Sequence, residues 1–137
     1  RVESSEAHEG ILVQETSLEL NLPAPETPPV ADGYGLRLVS GRKLWDAATA
    51  TAHSPSLQPL AAAPALKVHP NDLQRLGISS GDDVRVISTR STETIRAIAD
   101  ENIQRGTAML PFNQPGGGAN RFIDADAAVN DIRIETL

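Results

Sequence analysis

Cysteine is absent from the 137 residues. That excludes disulfides, thiolate nucleophiles, Cys-ligated zinc and any iron–sulfur cluster held by this chain. Aromatics are scarce at 3%, namely Tyr34, Trp45, Phe112 and Phe122, so the core has to be built mostly from Leu, Val, Ile and Ala. No run of about 18 apolar residues occurs, so no segment reads as a membrane-spanning helix, and no charged-then-apolar signal peptide opens the chain. An excess of positive charge is missing too: the formal net charge is −6 and the pI is near 4.9. Nucleic-acid binding through charge alone is therefore excluded, because neutralising phosphates takes a basic face. The first residue is Arg1 rather than Met. The chain is read as a piece of something longer, though processing gives the same start.

Ten prolines and ten glycines are present instead, and they favour many short elements joined by turns. Residues 1–32 read as a loose N-terminal segment and Pro-rich linker, with strand character over 10–20 (GILVQETSLEL). Four prolines within 23–29 argue for an extended strap. The compact domain is expected over 33–137, a length at which roughly two thirds of the unfolded chain's surface can be buried.

Strands are expected at 35–41, 64–70, 82–89, 92–99, 107–112 and 129–137, with a hairpin across 89–92. A short helix is expected over 71–78, with Leu73 and Leu76 on one side, Asn71 or Asp72 as its cap, and Gly77 as its left-handed stop. Residues 100–106 read as a helical turn ended by Gly106, and 113–122 as a flexible loop. The segment 43–55 is ambiguous. About six strands, one or two tiny helices and long uneven loops suit a small closed or nearly closed β barrel better than a sandwich.

The stretch NDLQRLGISSGDDVRVIS (71–88) fits that expectation. A helix that hands over to a barrel strand within five residues needs two reversals. Gly77 supplies the first, and Gly81 permits a positive φ before the strand that starts near Val84. Asp82 and Asp83 read as turn formers rather than an acid–base pair, since adjacent residues diverge.

With LKVHPNDLQRLGISSGDDVRVIST (66–89) and IQRGTAMLPF (103–112), the chain resembles the C-terminal dinucleotide-binding domain of the molybdopterin oxidoreductase superfamily over 35–137. The resemblance implies a mainly β fold, a double-psi β barrel of about six strands with one or two short helices. GRKLWDA (41–47), HSPSL (53–57) and the ending FIDADAAVNDIRIETL (122–137) narrow it toward the large iron–sulfur subunits of bacterial NADH:quinone oxidoreductases (complex I).

That narrower resemblance implies a non-catalytic, cofactor-free packing and assembly domain in a parent that transfers electrons from NADH to quinone. The parent's iron–sulfur clusters would lie in other domains. Partners would be those domains and the other proteins of the peripheral arm, on the cytoplasmic side of the membrane and without insertion into it. The alternative is a working molybdopterin guanine dinucleotide-binding domain from a formate-dehydrogenase-like enzyme. A further alternative is a partner-binding adaptor barrel, like the N-terminal domains of some ATPases. A self-processing decarboxylase barrel is excluded, because that chemistry needs a Gly–Ser bond and the sequence has none.

Candidate site residues come from the resemblance. Gly41, Arg42 and Lys43 follow the first strand, where relatives approach the dinucleotide and a cation can pair with phosphate. His53 matches a histidine–serine pair beside the pterin. Asn120 falls near a family asparagine that faces the cofactor, although the glycines of PGGGAN (115–120) depart from the family pattern. As residues alone, these are a solvated turn, a loop histidine and a surface loop. PGGGAN is neither a P-loop nor GxGxxG. His53 and His69 have no carboxylate at ligand spacing, so no metal site is expected.

Overall fold

The protein is represented by a computed structural model that describes residues 24, 27–43, 51, 53–61, 63–112, 114 and 118–137. The strand expected at 10–20, the loose segment 1–9 and residues 44–50 of the ambiguous segment lie outside the described residues.

Six strands form a closed barrel in the spatial order β1-β5-β2-β4-β3-β6. They are β1 (Gly35–Gly41), β2 (Leu66–Val68), β3 (Asp83–Ile87), β4 (Thr92–Ala99), β5 (Thr107–Pro111) and β6 (Asp131–Thr136). β1 runs parallel to β5 and β2 parallel to β4, while the other four pairings are antiparallel. Two parallel pairs in a closed six-stranded barrel, each made through a crossing connection, are the double-psi arrangement the sequence leads one to expect. Strand alternation decides which side chains enter. Leu36, Leu66, Val68, Val84, Val86, Ala97, Ala108 and Leu110 are fully buried, and Ile95, Ile132 and Ile134 nearly so. Each large one contributes about 1.5–3 kcal/mol on burial. Their neighbours Arg85, Arg96 and Arg133 point to water.

The helix α1 (Pro70–Leu76) joins β2 to β3 and closes one end of the barrel with Leu73. Its cap is not Asn71 or Asp72, as expected, but His69, whose Nδ1 accepts the Asn71 N–H at 3.1 Å. The cause is Pro70 at the first helical position, which keeps the preceding residue extended; His69 has φ −60° and ψ 138°. Asp72 turns inward instead. It is 3% exposed, and its carboxylate accepts the Gly106 N–H at 2.7 Å, tying the helix to the β4–β5 connection.

Gly77 ends α1 at φ 69° and Gly81 takes φ 102°, the two reversals expected before β3. Asp82 serves the turn, accepting the Ser79 N–H at 2.8 Å, while Asp83 pairs with Arg96 at 3.2 Å. Residues 100–106 form turns rather than the expected helical one. Asp100 explains it: its carboxylate accepts the Asn102 N–H at 3.0 Å, a local bond that competes with helix formation.

Asp100 also meets Lys67 at 2.6 Å. The Lys67 ammonium bond, followed by the Asn102 N–H, lowers its pKa from 3.8 to about 2. A carboxylate depressed in the folded state stabilises above its unfolded pKa, and that stabilisation is lost as pH falls through the folded value. The native chain should therefore lose stability between about pH 5 and pH 2 partly through this group. Asp100→Asn should show a shallower slope in that window by urea unfolding across pH; an unchanged slope would remove Asp100 from the acid response.

Candidate functional site

The strand directions collect three connections at the barrel end opposite α1. The pairing of Gly41 with Pro111 brings the ends of β1 and β5 together, and that of Ile87 with Thr92 brings the end of β3 beside the start of β4. β2 runs antiparallel to β5 and parallel to β4, so its start lies at the same end. The segments 42–65, 88–91 and 112–130 therefore leave or enter the barrel at one mouth. Contacts between them bear this out. The Phe112 N–H donates to the Gly41 carbonyl at 3.0 Å. Arg90 donates to the Ile123 carbonyl at 2.7 Å, and Arg121 pairs with Glu93 at 2.8 Å.

The residues singled out from the sequence all belong to these connections or their edges. Gly41 ends β1, and a Cβ built on it would meet no atom within 4 Å, so the space beside it is open. Arg42 follows, exposed, and then the half-buried Lys43. His53 is exposed in the segment between β1 and β2. Asn120 is exposed on a 3-10 turn, Ala119–Arg121, and no hydrogen bond engages its carboxamide among the described residues. The topology thus brings Gly41, Arg42, Lys43 and Asn120 to one end, with His53 on a connection that starts and finishes there.

The loop expected to be flexible over 113–122 is corrected for its second half. Gly118 and Ala119 are buried, and Phe122 is the largest fully buried side chain among the described residues. The 3-10 turn explains this: its tight bonds, Phe122 N–H to Ala119 O at 3.0 Å and Ile123 N–H to Ala119 O at 3.1 Å, aim Ala119 and Phe122 at the core. Asn120 and Arg121 then face outward on a short, fixed corner. Residues 115–117 lie outside the described residues.

Sequence reasoning missed Arg90, Glu93 and Arg121, which fasten this corner. Their signal was weak, because ordinary charged residues next to a hairpin turn look solvated. Phe122 was legible in principle, since an aromatic beside a glycine run in so aromatic-poor a chain calls for burial.

The mouth offers cations at the end of β1, suited to a diphosphate, and an outward carboxamide that can both donate and accept toward a heterocyclic base. These donors fit a dinucleotide. An open cleft of about 330 Å³, lined by Asp32, Gly35, Ile87, Ser88, Thr89 and Asp131–Arg133, runs from the 88–91 turn along β6 and contains none of these residues. None of the helices described is long and apolar enough to cross a membrane.

Comparison with known proteins gives the site its context. The family described as "Molydopterin dinucleotide binding domain" matches residues 36–133. A Halobacterium salinarum protein named as a dimethyl sulfoxide reductase catalytic chain is 30% identical over 122 residues, covering 85% of this chain and 14% of that protein. The alpha chain of the F420-dependent formate dehydrogenase of Methanocaldococcus jannaschii is 32% identical over 107 residues, covering 74% of this chain and 16% of its own. The chain therefore spans about a seventh of the length of these curated relatives. Among solved structures, acetylene hydratase from Pelobacter acetylenicus superposes with a TM-score of 0.57 at 18% identity, over 76% of this chain and 18% of that one. At that identity the likeness speaks for the fold.

Two expectations change. The family match overturns the expected cofactor-free domain, because the family is defined by binding a molybdopterin dinucleotide. The expected iron–sulfur parent loses its basis with it. The narrowing toward NADH:quinone oxidoreductase finds no support in these relatives, and the formate-dehydrogenase-like alternative is the better supported.

Proposed function

We propose that this chain, which belongs to the Molydopterin dinucleotide binding domain family, holds the dinucleotide part of a molybdopterin cofactor within a larger oxidoreductase of the dimethyl sulfoxide reductase and formate dehydrogenase kind. The observation that carries the reading is the convergence of Gly41, Arg42, Lys43 and Asn120 on one barrel mouth inside the matched region. Arg42 and Lys43 would meet the diphosphate, and Asn120 the base or ribose. The open side of Gly41 would let the ligand approach the backbone, and His53 would line the rim. The cofactor, when bound, supplies the reacting centre; the barrel binds and orients it.

Affinity for the isolated chain follows from simple bookkeeping. A charge-assisted hydrogen bond contributes about 1.5–3 kcal/mol, against at least ~4 kcal/mol for lost translational and rotational freedom. A few such contacts on an acidic protein, at one wall of a pocket, give a dissociation constant between about 10 µM and 1 mM. Titrating the 15N-labelled chain with GDP, the smallest diphosphate-bearing half of the ligand, tests this. Amide shifts are expected at 41–43, 53 and 118–123, with the opposite end (77–82 and 106) quiet. Shifts confined to the cleft along β6, or none at millimolar GDP, would refute the reading.

Gly41→Ala separates folding from binding. Its Cβ meets nothing within 4 Å and its φ is not positive, so the fold has no need of glycine there. Stability should stay level or rise by about 0.4–1 kcal/mol, because alanine narrows the unfolded ensemble. GDP-induced shifts at 41–43 should nevertheless shrink, since the methyl would occupy space the ligand needs. Unchanged GDP binding would place the ligand away from β1.

A further inference from the structure

We propose that Arg90, in the hairpin turn between β3 and β4, is a positioning residue for Asn120; the proposal rests on the dinucleotide-binding reading above. The turn 88–91 is itself held, with the Ser88 Oγ accepting the Arg90 and Ser91 N–H groups at 3.1 Å each. From this base the Arg90 guanidinium reaches across to the Ile123 carbonyl at 2.7 Å. Two residues beyond the same turn, Glu93 pairs with Arg121 at 2.8 Å and accepts from the Ser91 hydroxyl at 3.3 Å.

The corner carrying Asn120 is thus fastened at each of the three residues that follow it. Arg121 is fixed through its side chain, Phe122 through burial, and Ile123 through its carbonyl. Asn120 makes no bond of its own among the described residues, so among them its direction is set by those neighbours. The Glu93 partner also engages the Arg121 charge, leaving the carboxamide as the outward group of the corner. Arg90 lies at the exposed end of this bracing, where its removal frees a solvent-facing carbonyl and leaves the barrel core intact. Its effect should therefore fall on the orientation of Asn120 more than on folding.

The test is a double-mutant cycle in the full 137-residue chain, with GDP as the probe and binding read by calorimetry or amide shifts. Arg90→Ala should weaken GDP binding about fivefold, in the range by which contacting residues couple. In an Asn120→Ala background the same change should have no further effect. Arg90→Lys, which keeps the charge and one donor, should recover part of the loss. An equal loss in both backgrounds would mean that Arg90 acts on the ligand directly or through net charge, and would overturn the proposal, as would native affinity in Arg90→Ala. Failure of the native chain to bind GDP, or native affinity in Asn120→Ala, would instead bring down the dinucleotide reading and this proposal with it.

Discussion

Phe122→Ala is expected to remove about 3–5 kcal/mol of stability, the usual cost of truncating a buried aromatic. A domain of this kind has only about 5–15 kcal/mol in all, so the variant should be near unfolding at 37 °C. Of the three described aromatics, Tyr34 is 68% and Phe112 39% exposed, whereas Phe122 is fully buried. Its ring fills the core from the β5–β6 connection, at the mouth of the barrel, as Leu73 does from α1 at the other end. Among the described residues the rest of the hydrophobic core is aliphatic and none of it is as large, so little nearby can expand into the cavity. Phe122→Leu keeps most of the volume and should cost under about 1.5 kcal/mol. Urea unfolding of both variants decides the matter. A loss below about 1 kcal/mol for Phe122→Ala would mean that the barrel mouth is not closed by this ring.

The strands were legible because their burial alternates. Val84 and Val86 face in while Asp83 and Arg85 face out, and the register with β4 and β6 follows from the same period. β1 and β4 fall on the residues expected of them, 35–41 and 92–99. What was not legible depended on a partner distant in sequence or on a local bond that overrides a pattern. Asp72 looked like a cap and became a buried bridge, because its partner, the Gly106 N–H, lies 34 residues away. Residues 100–106 looked helical until the Asp100 carboxylate took the Asn102 N–H. The candidate site residues came from resemblance and not from pattern, since nothing in the spacing of Gly41, His53 and Asn120 announces that one barrel mouth gathers their connections. The cofactor-free expectation rested on the narrower resemblance, carried by GRKLWDA, HSPSL and the ending FIDADAAVNDIRIETL, and such short matches do not distinguish a dinucleotide site that is kept from one that is lost.

The two barrel ends divide the work. Among the described residues every glycine with positive φ (Gly77, Gly81 and Gly106) lies at the α1 end, where tight turns return the chain to the barrel. The mouth carries the longer connections and the outward polar groups. Strain is thus held where no ligand is proposed to bind, and the two ends can be perturbed separately.

Gly81→Val perturbs the strained end alone and should cost about 1–3 kcal/mol, the penalty for holding a non-glycine residue in a sparsely populated backbone region. Crowding is not the cause, because a Cβ at Gly81 would meet no atom within 4 Å. The cost lies in its φ of 102°, and the residue cannot relax away from that value. Its N–H donates to the Ala97 carbonyl at 2.8 Å, and the Ala97 N–H returns to the Asp82 carbonyl at 2.8 Å, so β4 grips the turn from both sides. The Ser80 hydroxyl accepts the Ala99 N–H at 3.0 Å, and the Asp82 carboxylate accepts the Ser79 N–H at 2.8 Å. Relaxing φ would break bonds that also seat the start of β3. A β-branched side chain fares worst here, because its stiff χ1 narrows the available geometry further. Gly41→Val is the matched control: it has the same open surroundings but an ordinary strand backbone, which a β-branched residue suits. It should leave stability nearly unchanged. Equal losses for the two variants in thermal or urea unfolding would show that the β2–β3 turn does not hold Gly81 in the strained region.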